Sequence, residues 1–245
     1  MNGKSGMLVL ALVLLSMTAC VVNYTDSDYN PYKKFYKGMS RTEVEADSSL
    51  IISGAELLLL EGKDIQKDSE WYLSNGYKNI GITSFEDDQT DLKYAMEYAK
   101  SLHATMILVY RQYSRTKAGS VTYFPLSFMG ITQDNSVDRF NFIVTYWIKA
   151  KPPIFGAGLI DLTQEQKLKI QSNKGAFLSY IVKGSPAYNA NIIPGDIVLR
   201  INDNEVLDMV DLQNTIDRLA GTQVTVTLFR EGRILQIPVQ LSNRM

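Results

Sequence analysis

At 245 residues and a formal net charge of −1, the chain is long enough for two small domains and carries no basic excess. That balance argues against a nucleic-acid partner, because phosphate binding needs clustered Lys and Arg. A single cysteine and a single histidine exclude an internal disulfide and a Cys/His metal cage, and nothing else in the composition calls for a cofactor.

The first element follows Lys4, an apolar run from Met7 to Leu15 that leads into Ser16-Met17-Thr18-Ala19-Cys20. A membrane span needs about 20 apolar residues, so the run is too short for one. Its positive start and small-residue end instead have the pattern of a secretory signal over residues 1–19. Met17-Thr18-Ala19-Cys20 resembles the bacterial lipobox, in which the cysteine becomes the lipidated first residue; Met17 stands where leucine is usual. The resemblance implies lipidation at Cys20 and membrane lipid as a partner through that residue. Several acyl chains at roughly 0.8 kcal/mol per buried methylene make such an anchor effectively permanent. Val21 stands where an aspartate would resemble an inner-membrane retention signal, which favours the outer membrane facing the periplasm. An ordinary secretory peptide with a chance cysteine is the alternative.

Residues 20–42 read as the lipidated cysteine and a tether, without sustained periodicity. Its aromatic residues Tyr24, Tyr29, Tyr32, Phe35 and Tyr36 suit packing on the domain that follows or, less simply, a partner-binding arm.

Residues 43–150 are expected to form a small α/β domain. Ala55 to Leu60, ended by Gly62, reads as a buried strand. Asp68 to Tyr77 suits a short helix closed by a left-handed Gly76. Residues 78–85 alternate like a strand, and Asp91 caps a helix carrying Leu92, Ala95, Met96, Ala99 and Leu102 on one stripe. Thr105 to Tyr110 has strand chemistry, so strand, helix and strand make a βαβ unit with parallel strands. Residues 119–124 and 140–148 add two strands around a polar loop. His103 ends the predicted helix, where a histidine meets the negative end of the dipole. The acidic loop Glu86 to Asp91 is capping chemistry in preference to a calcium loop, because the EF-hand spacing is absent. Isolated Gly81 does not make a dinucleotide cradle. On Gly76-Tyr77, Ile80 to Phe85, Ala104 to Val109 and Tyr146-Trp147, the stretch resembles a middle domain of uncharacterised function found in some bacterial lipoproteins. The resemblance implies a fold and no activity.

Lys151-Pro152-Pro153 marks the next boundary, since consecutive prolines interrupt helix and sheet pairing. Beyond it come the glycine loop Phe155-Gly156-Ala157-Gly158, a strand over 175–182, and Gly184-Ser185-Pro186-Ala187 with Ser185 as cap and Pro186 at the first helical position. Pro194-Gly195-Asp196, a strand to Asn202, a helix over 208–220 and two closing strands complete the order. These motifs resemble, over roughly 154–242, the PDZ domains of bacterial envelope proteins; the domain is taken as residues 154–243. The fold class expected for the whole is therefore α/β (α+β), a small mixed-sheet domain followed by a PDZ-like β-barrel or sandwich with one long helix.

The PDZ resemblance implies capture of an extended peptide along a strand edge. Carried onto this chain, the peptide-binding residues are Gly156, Ala157, Gly158, Leu159, Ile160 and Asp161 from loop and strand, with Leu212, Thr215, Ile216 and Leu219 from the helix. The polar stretch Thr163 to Asn173 is expected to fold over the groove. PDZ domains of this kind accompany trypsin-like proteases, but a triad needs a histidine and a primed serine. The one histidine is His103 and no Gly-x-Ser-x-Gly surrounds a serine, so no enzyme is expected. The expected function is an anchored adaptor binding segments or C-termini of envelope proteins. A hydrolase seated in the middle domain, and a structural envelope component with its groove filled by its own chain, are the alternatives.

Overall fold

The computed structural model describes residues 29–87, 90–117 and 137–244. The expected leader, Cys20 and the strand at 119–124 lie outside the described residues.

The first domain contains α1 (Pro31–Lys34), β1 (Tyr36–Gly38), α2 (Arg41–Ala46), β2 (Leu58–Glu61), α3 (Ile65–Ser74), β3 (Tyr77–Asp87), α4 (Leu92–Ser101), β4 (Met106–Lys117) and β5 (Val137–Lys149). Its five described strands lie in the order β1-β3-β5-β4-β2. Strand alternation builds two cores from one sheet. Ile107 and Val109 of β4, with Val144, Tyr146 and Ile148 of β5, join Ala95 and Ala99 of α4. Met106, Leu108, Tyr110 and Trp147 point the other way, against Tyr72 and Leu73 of α3. The domain is thus three layers, with α4 and α3 on opposite faces.

Helix ends follow the capping chemistry read from the sequence. Asp91 accepts from the backbone N–H of Lys93 at 2.8 Å, and Gly76 takes φ +77° after α3. The α3 cap is Asp64 rather than Asp68, whose carboxylate instead receives the backbone N–H groups of Lys63 and Asp64.

Three expectations change. From Pro31 onward the supposed tether belongs to the domain: β1 pairs antiparallel with β3, Tyr32 is fully buried, and Phe35 stacks on Phe85 with centroids 5.9 Å apart. Gly81 lets this happen, since a Cβ there would sit 2.3 Å from the Tyr36 ring. The apolar run before Gly62 does form a strand, parallel to β4, but at the sheet edge with Leu58 52% exposed; only Leu57 is buried. A run of leucines signals a strand without saying whether a neighbour or a layer covers it. Finally, β3 and β4 are parallel as the βαβ reading requires, yet β5 lies between them and is antiparallel to both.

The second domain contains β6 (Ala157–Asp161), α5 (Gln164–Ile170), β7 (Ala176–Ile181), α6 (Pro186–Asn189), β8 (Ile197–Ile201), β9 (Asn204–Glu205), α7 (Met209–Arg218), β10 (Gln223–Arg230) and β11 (Arg233–Gln240). The strand order is β11-β10-β8-β7-β6, with β9 on β8. Among the described residues the chain is mixed α/β with two sheets, as expected. β6 and β11 end the second sheet without meeting, so it is no closed barrel, which corrects that part of the expectation. Leu178, Val198, Leu212, Val226 and Leu228 are fully buried at its centre. The Pro194-Gly195-Asp196 turn has a structural role, because Asp196, 0% exposed, accepts from Arg230 Nη2 at 2.6 Å and Nε at 2.7 Å.

The two domains meet through the Lys149–Pro153 connection. The Lys151 N–H donates to the Ser49 carbonyl at 2.8 Å, and the Ala150 N–H to that of Gly76 at 3.0 Å. The end of α3 also receives the Lys183 N–H on the Ser74 carbonyl at 2.8 Å and Lys149 Nζ on the Asn75 carbonyl at 2.6 Å.

Candidate functional site

β6 is an edge strand, paired with β7 on one side and facing α7 on the other. The N-terminus of α7 is tied to it, because the Met209 N–H donates to Asp161 Oδ1 at 3.0 Å. Asp208 caps the helix through the Asp211 N–H at 2.8 Å, and Leu212 and Ile216 seat it in the core. A slot between a strand edge and a helix results, with unpaired main-chain groups along the strand as its means of attachment.

The loop that opens the slot is held tightly. The Gly156 carbonyl accepts from the Val182 N–H at 2.8 Å and from Ser185 Oγ at 3.3 Å, and the Phe155 carbonyl accepts from the Ala187 N–H at 2.9 Å. Both carbonyls therefore turn toward the 182–187 segment. In trans peptides the N–H lies opposite the C=O, so the N–H groups of Gly156 and Ala157 point away from it. Two neighbouring N–H groups with a common direction suit an anion. Gly156 has φ +90°, and a Cβ there would lie 2.2 Å from the Ser185 Cβ, so glycine is required by both conformation and space.

A cavity of about 760 Å³ opens at this loop. Of the peptide-binding residues expected from the sequence, Gly156, Ala157, Leu159 and Ile216 line it. The others do not: Leu212 is fully buried in the core, Thr215 is 7% exposed, Leu219 caps the helix against the core, and Gly158 packs on Tyr180. Ile160 is exposed, and Asp161 serves the α7 tie. The helix turns Gln213, Ile216 and Asp217 to the cavity instead, a spacing of three and four that marks one helical face. The apolar stripe of α7 could be read from the sequence, but it is mostly the stripe that holds the helix down. No residue of Thr163 to Asn173 lines the cavity; Thr163 and Gln166 form a capping box that starts α5.

The opposite wall comes from the first domain. Ser48, Ser49, Leu73, Gly76, Tyr77 and Lys78 face the loop across the connection. Lys78 Nζ lies 2.6 Å from Asp47 Oδ2. Partial burial works to raise the Asp47 carboxyl, but hydrogen bonds from Lys78 and from Ser49 outweigh it and hold it down to about 2. That carboxylate is charged throughout the physiological range and keeps Lys78 in place.

Away from this site, His103 Nε2 lies 2.8 Å from Glu45 Oε1, a carboxylate that also takes Arg41 Nε at 2.7 Å. In the acidic loop, Asp91 caps α4, Glu86 pairs with Arg115 and Asp87 with Arg139; Asp88 and Gln89 lie outside the described residues.

Comparison with known proteins accords with this geometry for the C-terminal third. A family model described as PDZ domain matches residues 177–230. The chain is 38% identical over 79 residues to the probable serine protease do-like of Buchnera aphidicola subsp. Acyrthosiphon pisum, covering 32% of this chain and 16% of that protein. It is 35% identical over 75 residues to a probable periplasmic serine endoprotease DegP-like of Chlamydia muridarum, covering 30% and 15%. The chain thus spans about one sixth of the length of these relatives. Among solved structures, the HtrA3 PDZ domain bound to a phage-derived ligand is similar at 18% identity and a TM-score of 0.32, over 36% of this chain and 83% of that one. With its family match, its edge strand and its facing helix, the C-terminal part of the chain is a PDZ domain, similar to the PDZ domains of HtrA/DegP-type proteases.

Proposed function

We propose that the chain is an anchored periplasmic adaptor, without enzymatic activity, whose PDZ domain captures segments or C-termini of other envelope proteins. The observation that carries this reading is the slot between the edge of β6 and α7, which opens at the Gly156 loop into a cavity. Extended peptides bind such edges through main-chain hydrogen bonds and take specificity from side-chain pockets. Phe155, Leu159 and Ile216 supply apolar wall for one ligand side chain. Lipidation at Cys20 and an outer-membrane location belong to the same proposal and rest on the Met17-Thr18-Ala19-Cys20 motif.

The test is binding of the full chain to an array of synthetic decapeptides with varied C-termini. Binding to a defined subset is expected, with a loss of at least about tenfold for Ala157→Arg, whose side chain would occupy the cavity. Uniform absence of binding across the array would sink peptide capture. The anchor is tested separately, by labelled fatty-acid incorporation in cells: wild type should label and fractionate with membranes, and Cys20→Ser should do neither. Equal labelling of both would rule out lipidation at that residue.

A further inference from the structure

Resting on the peptide-capture reading, we infer that the first domain and the C-terminal tail complete the PDZ site, forming a cationic subsite for the terminal carboxylate of the bound peptide. Among the described residues, four charged side chains line the cavity: Lys78 at the start of β3, Lys151 in the interdomain connection, Arg244 in the tail and Asp217 on α7. Three of the four are cations, brought from three separate parts of the chain to the end of the slot where the Gly156 loop lies. Two of the cationic groups are held, Lys78 Nζ by Asp47 Oδ2 at 2.6 Å and Arg244 Nη2 on the Asp217 carbonyl at 3.1 Å, while the backbone of Lys151 is fixed by its N–H on the Ser49 carbonyl at 2.8 Å. Among the described residues, Lys151 and Arg244 make no ion pair. Asp217 is engaged by Gln213 Nε2 at 3.0 Å, and the Asp47 carboxylate offsets Lys78, so Lys151 and Arg244 carry the positive charge left for a ligand.

Charge complementarity therefore commits the site to one occupant, a peptide that ends there with a free carboxylate. A peptide running through would place neutral amide against the cations and gain nothing from them. Lys78 and Arg244, whose side chains are already tied down, lose little freedom on binding, so their attraction is realised at low entropic cost. The subsite also makes affinity depend on how the domains meet, because Lys78 and Lys151 are positioned by the first domain while the slot belongs to the second.

The experiment uses the full chain and the decapeptides it binds, each made as free acid and as C-terminal amide. Wild type is expected to prefer the acid, with the preference shrinking as salt rises. The triple variant Lys78→Gln, Lys151→Gln, Arg244→Gln should lose roughly tenfold for the acid and little for the amide, since each partly exposed pair contributes modestly. Arg244→Gln alone, at an exposed tail position, keeps the test valid if the triple variant fails to fold; it should lose part of the same preference. Equal binding of acid and amide by wild type, or an acid preference unchanged in the variants, overturns the cationic subsite and leaves peptide capture standing. No binding of any peptide by wild type overturns both.

Discussion

Replacing Arg230 with alanine is expected to lower the stability of the C-terminal domain by about 3–5 kcal/mol, the usual consequence of stranding a buried charge. Asp196 is 0% exposed and takes both arms of the guanidinium, with a third bond from the Ile193 N–H at 3.0 Å. Without Arg230 one backbone N–H remains to compensate a carboxylate cut off from water. The guanidinium itself is held above its ordinary value, chiefly by the hydrogen bond to Asp196, so Arg230 stays charged under all ordinary conditions. Asp196→Asn should cost less, because the neutral amide keeps the Ile193 bond and Arg230, at 23% exposed, still reaches solvent. Both tryptophans lie in the first domain, so the readout is hydrogen exchange at the β7 and β8 amides, not intrinsic tryptophan fluorescence. Equal costs for the two variants would mean that Asp196 is not a buried charge dependent on this partner.

The second large effect belongs to Trp147. Truncation to alanine is expected to cost about 3–5 kcal/mol, the range for buried aromatic deletions. The side chain is fully buried, its Nε1 donates to Thr145 Oγ1 at 2.8 Å, and Tyr72 lies on it with centroids 5.7 Å apart. It is the floor on which α3 rests, with Met106, Leu108 and Tyr110 around it. Trp147→Phe should cost clearly less, since most of the volume stays. Urea unfolding followed by circular dichroism measures both. A loss under about 1 kcal/mol for the alanine variant, the level of ordinary surface change, would show that α3 is not packed there. The same variant should also weaken peptide binding, because the end of α3 supplies the Ser74 and Asn75 carbonyls that hold Lys183 and Lys149.

Much of this protein is written in local signals. Asp91 before an apolar stripe, Ser185-Pro186 at a helix start and Gly76 after a helix each act through bonds or dihedrals a few residues long, and each does in the structure what the spacing says. The alternation from Phe140 to Ile148 likewise sorts side chains to two faces before any partner is known. The ordered turn motifs of the C-terminal third were enough to identify its PDZ domain, and the composition, with one cysteine at a lipobox-like boundary, was enough to motivate the anchor.

What the sequence could not decide were matters of neighbourhood. An apolar run specifies a strand, but whether Leu58 to Leu60 end inside or at an edge depends on which strands arrive beside them. The insertion of β5 between two parallel strands depends on the return path of the chain, and so does the docking of Tyr32 and Tyr36 onto a sheet formed later in sequence. The same holds for the site. Gly156 and its loop were legible, whereas Arg230 on Asp196, 34 residues away, and Lys78 beside the PDZ loop were not. Local chemistry acts within a turn or two of chain and so leaves a pattern in sequence. Contacts across domains bring together residues far apart along the chain, and their positions carry no period to read.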